Sequence, residues 1–251
     1  MCTKIQKEFE LSQRYELEKT GSEDGLVALT EDNVAKVEAM IRTDSNYRMS
    51  PEDQEKSPYW ILALGKHLRG ENCEHKIEDV IKNVVEKIDN ENSVHLNADN
   101  VGRQVMIERI IRCKDDGILF NYLRNRNLKL IDILSEKTKD EKRGRRNISF
   151  ASKFCHYACF YIFRDEDAQD NFSIYDRVIA EMLPKYLDCY CQLSDLRKDI
   201  GRIIKNKDYR GYSDAIDAII EASRQKISRN GFDHLVWYYN KGKNGTKRGR
   251  R

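Results

Sequence analysis

Proline is scarce in this 251-residue chain: only Pro51, Pro58 and Pro184 occur. Few positions therefore lack a backbone N–H or lock φ, so long uninterrupted helices are open to it. Long apolar runs are missing too. Nothing approaches the roughly 18 consecutive apolar residues a membrane-spanning helix needs. The opening MCTKIQKEFE has no apolar stretch of the secretory kind, so a cytoplasmic address is expected. No G-x-x-x-x-G-K-[ST], G-x-G-x-x-G or G-x-S-x-G string occurs. P-loop, dinucleotide-fold and serine-hydrolase chemistry are thus left without a signature. His67, His75, His95, His156 and His234 are scattered and form no H-x-x-x-H pair.

The seven cysteines are an odd number in a chain with no export signal, which reads as reduced, packed thiols rather than a disulfide framework. Cys155 and Cys159 lie one helical turn apart, and Cys189 and Cys191 form a C-x-C pair. Neither is a usual zinc-knuckle spacing, and cysteine is among the most buried residue types. No metal or other cofactor is expected.

Hydrophobic residues make up 39% and charged residues 35% of the chain, the balance of a folded protein with a heavily charged surface rather than a disordered one. A net charge of +3 is too small to mark a nucleic-acid binder, but its distribution is uneven. Lys142, Arg143, Arg145, Arg146 and Lys153 follow one another with no acid among them, and the tail from Lys241 repeats the pattern. Such runs are either solvated loops and frayed ends or phosphate contacts.

Periodicity predicts helices nearly throughout. Ile77, Val80, Ile81, Val84, Val85 and Ile88 form a continuous stripe at helical spacing, which predicts a helix over 75–90. Thr30 is a candidate N-cap for a helix to about Thr43, and Ser57-Pro58 for one to about Leu68. Further helices are expected over 97–113, near Leu128–Leu134, over 149–163 and 176–191, and around Ile200, Ile219 and Trp237. Together they predict an all-α orthogonal bundle with little or no β-sheet. The expected organisation is an N-terminal arm and first helix over 1–50, a helical domain over 51–240 of one or two lobes, and a basic disordered tail over 241–251.

The chemistry concentrates in RRNISFASKFCHYACFYIF and DNFSIYDRVIAEML. Ser149 is a plausible N-cap, which puts Lys153 near the first turn of an apolar helix. The partial positive charge of a helix N-terminus opposes a cation there and favours the neutral amine that nucleophilic or Schiff-base catalysis uses. The plainer alternative is a lysine that snorkels to solvent. Asp176 stands where the next helix begins, as an N-cap or as a catalytic carboxylate.

The strings SFASKFCHY, FSIYDRVI and FDHLVWYY resemble the core of helix–hairpin–helix DNA glycosylases, most nearly the bacterial 8-oxoguanine-glycosylase-like branch. The resemblance covers roughly 145–239. It implies that Lys153 attacks the anomeric carbon of a damaged nucleotide, displacing the base and forming a Schiff base that can lead to strand cleavage. Asp176 would orient or deprotonate that nucleophile. The substrate would be double-stranded DNA with its modified base flipped out, stacked by Phe154, His156 and Trp237. Lys142, Arg143, Arg145, Arg146 and Ser149 would contact phosphate, and the protein would act as a monomer away from membranes. The glycine-rich hairpin of most of that superfamily is replaced here by the basic GRRNIS, and the four-cysteine iron–sulfur loop of some relatives is missing. Two other classes are open on the same residues: a non-catalytic helical nucleic-acid-binding protein, and a protein-interaction module of a defence or mobile-element system.

Overall fold

The computed structural model describes residues 17–22, 25–43, 59–91, 96, 101–136 and 146–240. Its regular structure is helical, as periodicity predicts. Eleven α-helices run in order among the described residues: α1 (Glu31–Thr43), α2 (Tyr59–Leu68), α3 (Ile77–Glu91), α4 (Val101–Asp115), α5 (Ile118–Arg124), α6 (Lys129–Ser135), α7 (Ile148–Ile162), α8 (Arg177–Tyr190), α9 (Asp195–Asn206), α10 (Tyr209–Ser223) and α11 (Arg229–Asn240). Among the same residues, backbone pairing of the sheet kind is confined to one antiparallel bridge, Lys19 with Val27. No helix among the described residues is long and apolar enough to cross a membrane.

The chain divides into two compact units: a middle unit over 49–174 and a terminal unit of 1–48 with 175–251. The described residues 17–22 and 25–43 are grouped with the last four helices.

In the middle unit, α7 is the hub, packed against α2, α3, α5 and α6. The α3 stripe does what its spacing predicts: Val80, Ile81, Val84, Val85 and Ile88 are buried. At the end of α3, the buried Asp89 accepts from the Leu96 N–H at 2.9 Å and from Arg103 Nε of α4 at 2.7 Å. Gly102 is required beside that loop, because a Cβ there would lie 2.4 Å from the Leu96 carbonyl oxygen. Gly117 separates α4 from α5 at a φ of +70°, a conformation that costs glycine little.

In the terminal unit, α8 packs on α9, α10 and α11, and α11 packs on α1. Thr30 caps α1 as predicted, its Oγ1 accepting from the Asn33 N–H at 3.1 Å. The segment before α1 is secured by hydrogen bonds from distant residues. Tyr186 donates to the Val27 carbonyl at 3.1 Å, and the Leu29 N–H donates to the Tyr190 hydroxyl at 2.9 Å. The fully buried Asn33 donates to the Glu18 and Ala28 carbonyls at 2.9 and 2.8 Å. The Ser57-Pro58 cap and the tail from Lys241 lie outside the described residues.

Candidate functional site

The sequence of α7, ISFASKFCHYACFYI, is apolar around its whole circumference, which suits a helix enclosed by others. Eleven of its fifteen residues are buried. The expected N-cap is displaced. The helix begins at Ile148 after Asn147, which makes no side-chain cap bond. Ser149 is thus the second helical residue, and its carbonyl accepts from the Ser152 hydroxyl at 3.1 Å. Lys153 consequently sits in the second turn, beyond the reach of the terminal charge invoked for it. Its surroundings come from packing instead: the residue is 9% exposed, between the buried Ser152 and Phe154.

Phe154 and His156, expected to stack a flipped base, are core residues of the middle unit. Phe154 is 1% exposed, with Phe150 stacked at 6.5 Å between ring centroids. His156 has its Nδ1 2.8 Å from the Phe172 carbonyl and its ring stacked with Phe160 at 6.2 Å. Both residues lie on the buried side of α7, whereas Ser149, Tyr157, Phe160 and Tyr161 are half-buried.

Of the expected phosphate contacts, Lys142, Arg143 and Arg145 lie outside the described residues. Arg146 is committed internally: its Nη2 lies 2.7 Å from Asp132 Oδ1 and 3.3 Å from the Ser135 hydroxyl, tying the start of α7 to α6.

Asp176 is an N-cap, as the sequence predicts. Its backbone is extended, and Oδ1 accepts from the Val178 N–H at 2.6 Å. A second set of contacts comes from within the terminal unit. The Tyr175 ring lies 4.7 Å from that of Tyr212, and the Tyr175 hydroxyl donates to the Ile204 carbonyl at 3.4 Å. Tyr212 is fully enclosed. Burial pushes its phenol well above the ordinary range, and the nearby Asp233 and Asp176 carboxylates add to the effect, while a backbone hydrogen bond from Asp176 opposes it. Trp237 is half-buried on α11, edge-on to Tyr238 at 4.7 Å, one turn beyond the buried Asp233.

The sequence-predicted residues therefore fall into two sets: Arg146, Ser149, Lys153, Phe154 and His156 in the middle unit, Asp176 and Trp237 in the terminal unit. Tyr212 and Asp233 were not anticipated. An acid between apolar neighbours in GFDHLVW was the available signal, because Phe232, Leu235 and Val236 bury the same stretch.

Among the described residues, no group of three or more His, Cys, Asp or Glu side chains is arranged to hold a metal ion. The Cys155 and Cys159 thiols are buried, and burial is the main cause that raises both, well above the usual range for Cys155. Cys113 of α4 is pushed up to about 11 by burial and, secondarily, by Asp116. Nucleophilic attack requires a thiolate, a form that burial disfavours at all three.

Comparisons with protein-family models, with curated proteins and with solved structures return no match to this chain.

Proposed function

We propose that the chain is a base-excision DNA glycosylase, with a Schiff-base lyase step, that removes an oxidised or otherwise modified base. The observation that carries this reading is Lys153, a residue 9% exposed on a largely apolar helix. Burial of a lysine disfavours its charged form unless a partner compensates. Desolvated sites are also where lysine serves as a nucleophile. The likeness of SFASKFCHY and FSIYDRVI to helix–hairpin–helix glycosylases supplies the reaction class.

In this reading the Lys153 Nζ attacks C1′ of the modified nucleotide. The C1′–N bond breaks, and its electron pair leaves with the base, which takes up a proton. The amine loses a proton, the C1′–O4′ bond breaks with O4′ taking up a proton, and a protonated C1′ imine is left. By the resemblance, Asp176 is the carboxylate of this chemistry, taking up a proton and stabilising positive charge that develops on the sugar. Water then hydrolyses the imine, or elimination expels the 3′ phosphate.

The test is incubation with duplexes carrying oxidised, deaminated or abasic sites in the presence of borohydride. A covalent adduct is expected with the parent and none with folded Lys153→Gln. Neither adduct nor base release across the panel overturns the reading.

A second reading is a non-catalytic nucleic-acid-binding protein, in which the burial of Lys153 serves packing alone. It predicts salt-sensitive DNA affinity that Lys153→Gln and Asp176→Asn leave unchanged.

A further inference from the structure

Within the terminal unit most exposed cations of α8 and α9 are answered by a carboxylate. Arg177 pairs with Glu181 at 2.7 Å, Lys198 with Asp195 at 3.0 Å and Arg202 with Asp199 at 3.1 Å. Arg197 pairs with Asp188. The junction of α9 and α10, KNKDYR, is different. Lys205 and Arg210 are exposed and ion-pair with nothing among the described residues, and Lys207 stands between them.

The acid in this junction, Asp208, is occupied as the N-cap of α10, where its Oδ1 accepts from the Gly211 N–H at 3.2 Å. The turn is also closely fixed. The Asp208 N–H bonds the Ile203 carbonyl at 2.9 Å and the Lys207 N–H bonds the Ile204 carbonyl at 3.1 Å, the paired bonds that close a helix C-terminus. Lys207 holds the left-handed position there at a φ of +52°, where glycine is the usual occupant. A Cβ on Gly211 would lie 2.8 Å from the Ile203 side chain, so α9 and α10 meet with no slack.

The turn also adjoins the candidate carboxylate. The Tyr175 hydroxyl bonds the Ile204 carbonyl, one residue before Lys205, and Tyr175 directly precedes Asp176.

We propose that the α9–α10 turn, chiefly through Lys205 and Arg210, grips the phosphodiester backbone of DNA beside Asp176. This rests on the reading of the chain as a DNA-binding protein, which both functions above share. Two uncommitted cations on a fixed turn fit a phosphate backbone, because each phosphate neutralised releases condensed counterions. The rival explanation is that Lys205 only stabilises the negative end of α9. That role would alter stability and leave DNA affinity alone.

The test uses the full chain and a fluorescent mixed-sequence duplex, titrated from about 50 to about 200 mM salt. In Lys205→Gln/Arg210→Gln, with helicity and Tm retained, affinity should fall about tenfold and the salt slope by about 1.8, near 0.9 for each phosphate no longer neutralised. Lys198→Gln, an exposed but ion-paired cation of α9, should change affinity less than about twofold. Equal affinities for the parent and the double variant would overturn the turn as a DNA-binding element while leaving the proposed function standing. A parent without salt-sensitive DNA binding would overturn both. If the double substitution weakens binding to vesicles of anionic lipid but not to DNA, the partner assignment is wrong.

Discussion

Helices α7 and α8 carry the two residues of the proposed chemistry and hold them in place by different means. α7 starts without a side-chain cap, is apolar on every side and is enclosed by α2, α3, α5 and α6. α8 starts on a carboxylate cap at 2.6 Å and keeps a polar face, with Arg177, Glu181, Lys185 and Asp188 exposed. The position of Lys153 is therefore a property of a packed core, sensitive to any change in the volume around α7. The position of Asp176 depends on a bond between neighbours in sequence, reinforced by the packing of Tyr175 on Tyr212. Substitutions should separate these two kinds of support.

The largest effect is expected in α7. Phe154→Ala removes an aromatic side chain that is 1% exposed and stacked on Phe150, and should lower stability by about 3–5 kcal/mol, read as a lower urea midpoint. A decrease below about 1 kcal/mol would mean that α7 is not held by its packing. It would also reopen Phe154 as a base-stacking residue, since a side chain kept for a ligand is expected to contribute less to the free protein.

The same contrast explains what the sequence could and could not convey. The stripe from Ile77 to Ile88 was legible because one period specifies both the helix and its buried face. Thr30 and Asp176 were legible as caps because a cap is a local bond. On α7, periodicity has little purchase: with apolar residues on most sides, the pattern does not say which face meets the core, so Phe154 and His156 read as well for a pocket as for a core. The Ser149 cap failed for a related reason. Ile148 is buried and joins the helix, so the cap position falls on Asn147, two residues earlier than the hydroxyl suggests. Docking of residues 17–29 was invisible, since Tyr186 and Tyr190 reach Val27 and Leu29 across 159 and 161 positions. The Lys205–Arg210 cations were overlooked because Asp208 interrupts the run. Only the hydrogen bonds reveal that this carboxylate is engaged as a cap.

Alkaline pH extends the comparison from two helices to the two units. In the middle unit Cys113 is raised from 9.0 to about 11 by burial. In the terminal unit the Tyr186 and Tyr212 phenols are held well above 10, again chiefly by burial. Each raised acid keeps its proton in the fold at a pH where the unfolded chain has released it. This stabilising contribution is complete below pH 9 and is lost as the pH rises through the folded-state values. Cys113 alone should cost about 1 kcal/mol by about pH 10, and the two tyrosines add to the decline above that. Stability measured between pH 8 and about 11 should fall, and Cys113→Ala should flatten the first part of the curve. A parent whose stability is level across this window would contradict the burial of all three groups.

The smallest change is the most informative about α8, because it separates the cap from the carboxylate. Asp176→Ala removes the oxygen that accepts from Val178 N–H, and loss of such a cap typically costs about 1 kcal/mol. Asp176→Asn keeps an oxygen in the same place, and asparagine caps about as well as aspartate. Its stability should therefore match the parent within about 0.5 kcal/mol. If Asp176 is the carboxylate of the proposed chemistry, borohydride trapping is nevertheless lost in Asp176→Asn, since an amide does not take up a proton. Full trapping by the asparagine variant, alongside a destabilised alanine variant, would reduce Asp176 to a cap and leave the proposed chemistry to Lys153 alone. The converse result, a stable asparagine variant that binds DNA as the parent does and traps nothing, would show that this helix start serves two purposes with one side chain.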